Sequence, residues 1–468
     1  MPPSPSQPAS IHADISEGDV NLSPSRRRFR ERNIDTAAAR LLERDEAAYL
    51  HQSLSTPCLN ALASARGTIL TDVQGRELLD FHGNSVHQVG HGHPRVIEAI
   101  KRQLDTLPFC PRRYTNEPAI LLAERLAGLT HGKLSNVLLA PGGSLAMGMA
   151  LKLARIATGR FKFLSMWGSF HGAGLDTISI GGEAVFRRGI GPLLPGCEHV
   201  QPCAPSDCKL GCRGSCTLAC ADEAVDVLER EGDIAAVILE PVRCTTIDVP
   251  PREYIQKIRA ACSAHGALLI LDEIPTCLGR TGRMFSYEHF DIEPDILVIG
   301  KGLGGGVMPI AAMLARPELN LASQTSLGHY THEKSPVAAA AALATLDVIR
   351  DEDLVQRSDQ LGARYREQLT ARLRPTGVLR TVRGLGLMVG VELSAATTAA
   401  TARLADRVLY ECLERGLNFK VSDGRVLTLT PPLTVAEHEL ASSVDIIEAA
   451  IRSAINQPSI ATLPDSIS

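Results

Sequence analysis

Hydrophobic and polar positions along the chain alternate between short apolar runs and longer amphipathic segments. The runs have the length of buried strands, and the segments between them have helical spacing. The strand-like runs are NVLLA, FKFLSM, AAVILE, ALLILDE and DILVIG, and the clearest helical segments are SLAMGMALKLARIAT and EYIQKIRAACSAHG. Fully apolar strands interleaved with helices predict an α/β fold with a mostly parallel sheet covered on both faces. Ligands of such a sheet bind at the carboxyl ends of its strands.

The same pattern predicts how the chain is divided. Residues 1–45 combine Pro, Ser and Arg with few apolar positions and are expected to be disordered. Two strand-like runs flank a turn at Val73-Gln74-Gly75, and two long helices and further strands follow Pro336. The predicted divisions are a segment of the small domain at 46–95, a large domain at 96–336, a smaller α+β domain at 337–456 and a flexible tail at 457–468.

Composition and charge exclude several classes of protein. Lys and Arg total 48 against 52 Asp and Glu, a formal net charge of -4, so charge gives no reason to expect nucleic-acid or membrane-surface binding. No apolar stretch approaches the length of a membrane span, and the N-terminus has no apolar segment of the secretory kind. These features predict a cytoplasmic enzyme that acts on a small molecule.

Six of the twelve cysteines are clustered in a predicted insertion at 197–220. The cluster comprises Cys197, Cys203, Cys208, Cys212, Cys216 and Cys220. The last four recur every fourth residue, which on a helix would place them on one face, and such thiolates could hold zinc or an iron-sulfur centre. A Cys-rich surface insertion or a disulfide remains an alternative, since no C-x2-C pair is present. We therefore assign no metal ligand from the sequence.

Lys301 and Asp272 are the residues whose surroundings indicate catalysis. Asp272 ends one apolar run, and Lys301 lies 29 residues later, just past the next run and before a Gly-rich loop. Glycines leave the backbone open, so a carbonyl ligand could approach this lysine and form a Schiff base. A carboxylate at the neighbouring strand end could keep a pyridinium nitrogen protonated.

These residues lie in motifs that resemble those of the class-III aminotransferases, the fold type I family that uses pyridoxal 5'-phosphate (PLP). The resemblance extends over most of residues 65–435. The matching motifs, in chain order, are Gly90-His91, Gly142-Gly143-Ser144, Phe170-His171-Gly172, Glu240-Pro241, Asp272-Glu273, Leu278-Gly279-Arg280-Thr281-Gly282, Pro294-Asp295, Lys301-Gly302, Arg383-Gly384 and Pro431-Pro432-Leu433. The resemblance implies PLP as cofactor, with Lys301 and Asp272 as catalytic residues.

The resemblance also implies roles around the cofactor, each with a structural alternative. Gly143 and Ser144 would bind the phosphate, although a Gly-Ser pair can simply begin a helix. Phe170 would stack on the cofactor ring, with His171 beside it, although a Phe after a strand is usually a core residue. Thr331 would reach the phosphate from a partner subunit, which implies a homodimer with active sites at the subunit interface; a turn or helix cap is the alternative.

Two positions depart from the family pattern and bear on the substrate. Thr428 stands where many members carry an arginine that grips a substrate carboxylate, and threonine cannot do this. Pro275 stands where glutamine usually contacts the phenolic oxygen of the cofactor. Ordinary transamination between two carboxylate substrates is therefore in doubt, whereas the PLP chemistry itself is not.

Within the family, the motifs look most similar to those of lyases that act on aminophosphonates. This implies ammonia elimination from (R)-1-hydroxy-2-aminoethylphosphonate to give phosphonoacetaldehyde. Glu240 would then lie near the substrate, and Arg112, Arg113 and Arg383 are candidates for its phosphonate, each with a plain structural alternative. An ω-aminotransferase, or a metal-binding or redox-sensing protein that uses the cysteines, remains open.

Overall fold

The computed structural model describes residues 23–53, 58–205, 207–212 and 216–456. The helices are α1 Pro24–Asn33, α2 Thr36–Ala48, α3 Pro94–Thr106, α4 Glu117–Leu129, α5 Gly143–Thr158, α6 Leu175–Ile180, α7 Ala184–Arg187, α8 Ala219–Glu231, α9 Arg252–His265, α10 Pro336–Asp351, α11 Leu354–Leu373, α12 Thr398–Glu414 and α13 Glu437–Asn456. The strands are β1 Leu62–Arg66, β2 Ile69–Asp72, β3 Glu77–Asp80, β4 Asn136–Ala140, β5 Lys162–Met166, β6 Cys197–Val200, β7 Ile234–Leu239, β8 Leu268–Asp272, β9 Ile296–Ile299, β10 Ala311–Ala315, β11 Leu379–Leu385, β12 Met388–Leu393, β13 Leu417–Asn418, β14 Lys420–Ser422 and β15 Val426–Leu429.

The large sheet has seven strands in the order β4-β10-β9-β8-β7-β5-β6. Only β10 runs against its neighbours, so the other six strands are parallel to one another. All five strands predicted from apolar runs are present, and the sheet confirms the predicted fold class. Strands β6 and β10 were not predicted, because CEHV is partly polar and AAMLA is rich in alanine, which has a low strand propensity.

Both faces of this sheet are buried. Successive side chains of β8 point to opposite faces: Leu269 and Leu271 belong to one hydrophobic core, and Leu268 and Ile270 belong to the other. Every residue of β7, β8, β9 and β10 is buried. The sheet is thus held between two apolar layers, as the continuous hydrophobic runs predict.

Two smaller sheets are built from the two ends of the chain. The first has the order β1-β2-β3-β13, in which β13 pairs in parallel with β3 through Leu417 and Leu79. The second has the order β11-β12-β15-β14, and the segment LRTVRGLGLMVGVEL is a hairpin of two strands, where we expected one strand. The β13–β3 pairing joins the segment at 46–95 to the C-terminal part of the chain; the division into domains itself stays a prediction.

The prediction that residues 1–45 are disordered is wrong for residues 24–45. These residues form α1 and most of α2, which begin at the side-chain caps Ser23 and Asp35. Helix α1 has one large apolar side chain, Phe29, which is buried against the ring of Tyr410 with centroids 5.7 Å apart. Docking on α12 therefore orders a helix that is too polar to be recognised alone. Residues 1–22 and the predicted tail at 457–468 lie outside the described residues.

The Cys-rich insertion also differs from the helical arrangement that the spacing allowed. Cys197 belongs to β6 and Cys220 to the first turn of α8, whereas Cys208, Cys212 and Cys216 lie on the irregular chain between them. All twelve cysteines are free thiols in the structure.

Candidate active site

Five parallel strands end at the same edge of the large sheet, and each is followed by a predicted site residue. Strand β4 leads to Gly143 and Ser144, β5 to Phe170 and His171, β7 to Glu240, β8 to Asp272 and β9 to Lys301. Because the carboxyl ends of parallel strands meet at one edge, the fold brings these side chains to one region.

Asp272 is the last residue of β8 and is buried. Its Oδ2 accepts a hydrogen bond from His171 Nδ1 at 2.8 Å, and its Oδ1 accepts one from the amide of Ile274 at 3.1 Å. Both bonds fix the plane of the carboxylate. Apart from His171, no cationic side chain among the described residues forms an ion pair with Asp272. A buried carboxylate of this kind suits a cationic ligand atom such as a protonated ring nitrogen.

Lys301 follows β9 by two residues and lies near Asp272 along the sheet. Asp272 is opposite Val298 in the pairing of β8 with β9, and the amide of Glu273 donates to Val298 O at 2.8 Å. The backbone of Lys301 has φ +45°, a strained conformation for a residue with a side chain. Its ammonium makes no hydrogen bond or ion pair with another residue that the structure describes. Lys301 is therefore available to a ligand at this edge.

The N-terminus of α5 presents backbone amides beside Lys301. Helix α5 starts at Gly143 after Gly142, with no side chain capping its first amides. A Cβ on Gly143 would lie 2.6 Å from Ile274 Cδ1, and a Cβ on Gly300 would lie 3.6 Å from Ile274 Cγ2. Ile274 thus packs between the start of α5 and the residue before Lys301. Open amides at a helix N-terminus attract a phosphate.

Ser144 is held in place by contacts from the chain that follows β5. Its Oγ lies 2.9 Å from Thr177 Oγ1 and accepts a hydrogen bond from the amide of Gly174 at 3.1 Å. A Cβ on Gly172 would lie 2.6 Å from the same Oγ. The loop after β5 therefore contacts the start of α5, and through His171 it also contacts Asp272.

Phe170 and Glu240 meet at the ends of β5 and β7. The amide of Phe170 donates to Glu240 Oε1 at 3.4 Å, and the amide of Cys244 donates to Glu240 Oε2 at 2.8 Å. The Phe170 ring is half-buried and packs on Phe186 with centroids 4.5 Å apart. Burial raises the pKa of Glu240 above its usual value, which favours its protonated form.

The three arginines predicted to bind substrate differ in their surroundings. Arg383 donates to Glu392 at 2.5 Å and lies 3.3 Å from Asp248, so its charge is compensated within the protein. Arg112 and Arg113 are exposed, and neither forms an ion pair with another described residue. Of these three arginines, Arg112 and Arg113 are thus the ones whose charges remain available to a ligand.

Thr331 lies in an exposed turn near the segment that carries Arg112 and Arg113. The ring of Phe109 contacts that of His332 at 5.3 Å, and Asn116 donates to Lys334 O at 3.0 Å. The Thr331 side chain forms no hydrogen bond with another described residue. The threonine and the arginine pair therefore belong to one surface region.

The histidines His82, His87, His91 and His93 belong to the loop between β3 and α3. The ligand atoms of Asp80, His87 and His91 lie within 4.8 Å of one another, but each ring already has a partner. His91 Nε2 donates to Asp80 Oδ2 at 2.8 Å, and His87 Nε2 donates to the carbonyl of Asp80 at 3.1 Å. These bonds hold the loop in place.

Several residues at the site were not predicted. Thr177 contacts Ser144, and Ile274 packs against Gly143 and Gly300. The buried side chain of Gln88 packs against Gly302, where a Cβ would lie 1.8 Å from Gln88 Oε1. These contacts join segments far apart in sequence. The one available signal was Gly302 itself, a glycine beside the lysine where the backbone must be closely approached.

Comparison with known proteins identifies the family. The model of the family described as aminotransferase class-III matches residues 51–451. The chain belongs to the class-III aminotransferases. It is 47% identical over 453 residues to the (R)-1-hydroxy-2-aminoethylphosphonate ammonia-lyase of Vibrio splendidus, which covers 93% of this chain and 95% of that protein. It is 34% identical over 400 residues to the acetylornithine aminotransferase of Bacillus subtilis, with 85% and 96% covered.

Solved structures of this family share the fold. An amine transaminase from an uncultivated Pseudomonas species, in its PLP-bound form, matches with a TM-score of 0.80 and 31% identity over 87% of this chain and 99% of that one. An ω-transaminase from Thermomicrobium roseum matches with a TM-score of 0.83 and 29% identity over 90% and 99%. The class-III member described here is thus a fold type I enzyme whose cofactor is PLP.

The geometry of the site fits this cofactor. Three features face one edge of the sheet: a lysine with no partner among the described residues, a buried carboxylate held by His171, and a helix start with uncapped amides. These three features match the aldehyde, the ring nitrogen and the phosphate of PLP, respectively.

Proposed function

We propose that this enzyme eliminates ammonia from a 1-hydroxy-2-aminoethylphosphonate and forms phosphonoacetaldehyde. The observation that carries the proposal is the 47% identity to an ammonia-lyase of that specificity over 93% of the chain. The surroundings of Thr428 support it: the residue is buried and its Oγ1 donates to Lys420 O at 3.0 Å, so it offers no group to a substrate carboxylate.

When bound, PLP stabilises negative charge on the carbon next to the substrate nitrogen. Lys301 would hold the cofactor through its Nζ, and the same Nζ would take the proton from that carbon of the substrate. Asp272, fixed by His171, would keep the ring nitrogen protonated. The amides of Gly143 and Ser144, with Thr331 of the partner subunit, would hold the phosphate.

The elimination balances without an added oxidant or acceptor. The carbon bearing nitrogen loses its proton, and the hydroxyl on the phosphonate-bearing carbon leaves as water. The released enamine takes up one water and gives ammonia and phosphonoacetaldehyde. We propose that the carboxyl of Glu240 assists the departure of the hydroxyl, because burial raises its pKa and so favours the protonated form, which can donate a proton.

Arg112 and Arg113 are the proposed phosphonate ligands. A phosphonate carries charge on three oxygens, which two guanidinium groups can bind through paired hydrogen bonds. Because the arginine pair and Thr331 share one surface region, both would serve the active site of the partner subunit. Arg383 forms ion pairs with Glu392 and Asp248, and we propose a structural role for it in stabilising the residues around the pocket.

We propose a homodimer built on the face that carries β4. Strand β4 is at the edge of the large sheet, and beside it lies a groove of about 600 Å³ whose lining includes Ile120, Leu138 and Lys334. Ile120 and Leu138 are 44% and 38% exposed in the single chain. A second copy would bury these apolar side chains and complete the sites with Thr331.

None of the described helices is both long and apolar enough to cross a membrane. We propose the cytoplasm as the location, because a reducing compartment keeps twelve free thiols from pairing.

Product analysis tests the function. Purified enzyme with (R)-1-hydroxy-2-aminoethylphosphonate, and without any 2-oxo acid, is expected to release ammonia and phosphonoacetaldehyde in equal amounts. Lys301→Ala should abolish release, and Arg112→Ala/Arg113→Ala should raise KM more than it lowers kcat. Turnover that requires a 2-oxo acid would instead identify an ω-aminotransferase, and the proposal would fall.

A further inference from the structure

Five cysteines surround one cavity in the insertion between β6 and α8. The cavity has a volume of about 80 Å³, and its lining consists of Ala204, Pro205 and the cysteines 203, 208, 212, 216 and 220. Cys197 is not among them: it lies in β6 and packs with the core on one face of the sheet. Of the six clustered cysteines in the sequence, five therefore surround this cavity, and we call these five the ring of cysteines.

The five sulfurs come from different parts of the insertion. Cys203 follows β6 and Cys220 lies in the first turn of α8, and both are buried, so the fold holds two of the thiols in place. Cys208, Cys212 and Cys216 lie on the irregular chain between them and are less buried.

Donors from Thr217 fix one of these thiols. Thr217 Oγ1 lies 3.2 Å from Cys212 Sγ, and the Thr217 amide donates to the same sulfur at 3.5 Å. Helix α8, whose first turn contains Cys220, begins without a side-chain cap. Cysteine binds metals as the thiolate, which such donors stabilise.

The lining of this cavity does not suit water, and its sulfurs are more widely spaced than those of an occupied zinc site. A buried water occupies about 10–15 Å³ and needs two or more polar partners, which an alanine, a proline and weakly polar thiols do not supply. A tetrahedral zinc site, with Zn–S bonds of about 2.3 Å, brings its sulfurs to within about 3.8 Å of one another. Among the described residues, no three of these sulfurs lie within 4.8 Å of one another.

We propose that this ring of cysteines binds a thiolate-ligated metal centre, for which the five side chains that line the cavity supply four ligands and one spare residue. The spread of the sulfurs around a cavity favours an iron-sulfur cluster, which four cysteines hold around a polynuclear core. The centre would be independent of the PLP chemistry.

The position of this centre suggests what it stabilises. Asp207, within the insertion, pairs with Arg425 at 2.8 Å, and Arg425 directly precedes β15. Ala204 and Asp207 also line a cavity of about 700 Å³ together with Arg243 and Arg383. A metal centre would hold the insertion rigid as one wall of that charged cavity.

The test is metal analysis of the holoenzyme purified without oxygen from iron-supplemented cells. A cluster predicts about four iron and four sulfide per chain, with an electron paramagnetic resonance signal after dithionite reduction. Resonance is the decisive readout, since bound PLP also absorbs visible light. Zinc at one per chain, lost with the same ligands, would support the centre and identify its metal.

A double variant tests the ring whichever of its residues is spare. Cys212→Ser/Cys216→Ser, at two positions on the irregular chain, leaves three of the five thiols and should lose most of the metal and keep PLP. Cys197→Ser, outside the cavity, is the matched control and should retain the metal. The proposal is overturned if no metal binds even after anaerobic reconstitution with ferrous iron and sulfide or with zinc, if the double variant keeps full metal, or if mass spectrometry finds these cysteines in disulfides. None of these outcomes depends on the substrate.

Discussion

The hydrogen bond between His171 and Asp272 joins a buried histidine to the carboxylate that is proposed to hold the ring nitrogen of the cofactor. Both side chains are buried, and His171 Nε2 lies 3.3 Å from Ser165 Oγ. His171 is thus a positioning residue: its ring N–H sets the orientation of the carboxylate.

His171→Ala is expected to weaken PLP binding about 10- to 100-fold, because a charge-assisted hydrogen bond is lost beside the carboxylate. The measurement is a titration of the apoenzyme with PLP, followed by its absorbance. His438→Ala, at an exposed position, is the control. Unchanged PLP affinity in His171→Ala would show that Asp272 keeps its orientation without this partner.

His87 makes the stability of the fold depend on pH. Burial lowers its pKa from 6.5 to about 4, so the folded protein keeps the ring neutral where the unfolded chain already binds the proton. The stabilisation is therefore fully present above about pH 6.5 and is lost as the pH falls toward about 4, by up to about 3 kcal/mol.

Replacing the His87 ring should make the free energy of unfolding less dependent on pH below about 6.5. His87→Asn is expected to lower the free energy of unfolding at neutral pH, since it leaves space beside Gly83, yet to show a smaller further loss between about pH 6.5 and 5. Urea denaturation at a series of pH values measures this, with His438→Asn as control. Equal pH slopes for His87→Asn and the wild type would contradict the assignment.

At the level of elements, the sequence predicts those helices and strands whose formation depends on the pattern of their own residues. Strands β7, β8 and β9 are uniformly apolar and were recognised. Glu240, Asp272 and Lys301 lie at their carboxyl ends, as the positions of the family motifs predict. Strand β10 and helix α1 were missed, since a partner across the sheet or on α12 supplies their stability. Contacts such as that of Ile274 with Gly143 likewise depend on tertiary packing, which no spacing along the chain reveals.

Helix α1 supplies the element-scale prediction. Phe29 is 4% exposed, packs on Tyr410 and lies under Arg76, whose guanidinium carbon is 5.9 Å from the ring centroid. Phe29→Ala is expected to lower the free energy of unfolding by about 3 kcal/mol or to release the helix to proteases. Urea denaturation and limited proteolysis measure these effects. Tyr49→Ala, at a 66% exposed position after α2, should change neither, and an unaffected Phe29→Ala would show that α1 is not docked.

At the level of the whole molecule, the proposed dimer and the proposed function depend on each other. Thr331 is exposed in a single chain and lies in the same surface region as Arg112 and Arg113. If Thr331 of the partner subunit completes each phosphate site, no single chain contains a full active site. The assembly can then be tested by complementation, which reports on both proposals at once.

The experiment mixes two inactive proteins. Lys301→Ala removes the cofactor lysine, and Thr331→Glu places a negative charge where the phosphate would bind. When the two chains exchange subunits, half of the dimers are mixed, and each mixed dimer has one intact site made of Lys301 from one chain and Thr331 from the other. Activity should therefore return to about a quarter of the wild-type value.

The matched control combines both substitutions in one chain and mixes that chain with wild type. Its mixed dimers contain the lysine and the threonine of an intact site on the same chain, so they are active only if Thr331 serves its own subunit. Recovery in the first mixture and none from the mixed dimers of the second is the expected result, measured as ammonia release after subunit exchange. The reverse pattern would show that each chain carries a complete site, and the role assigned to the interface would be wrong.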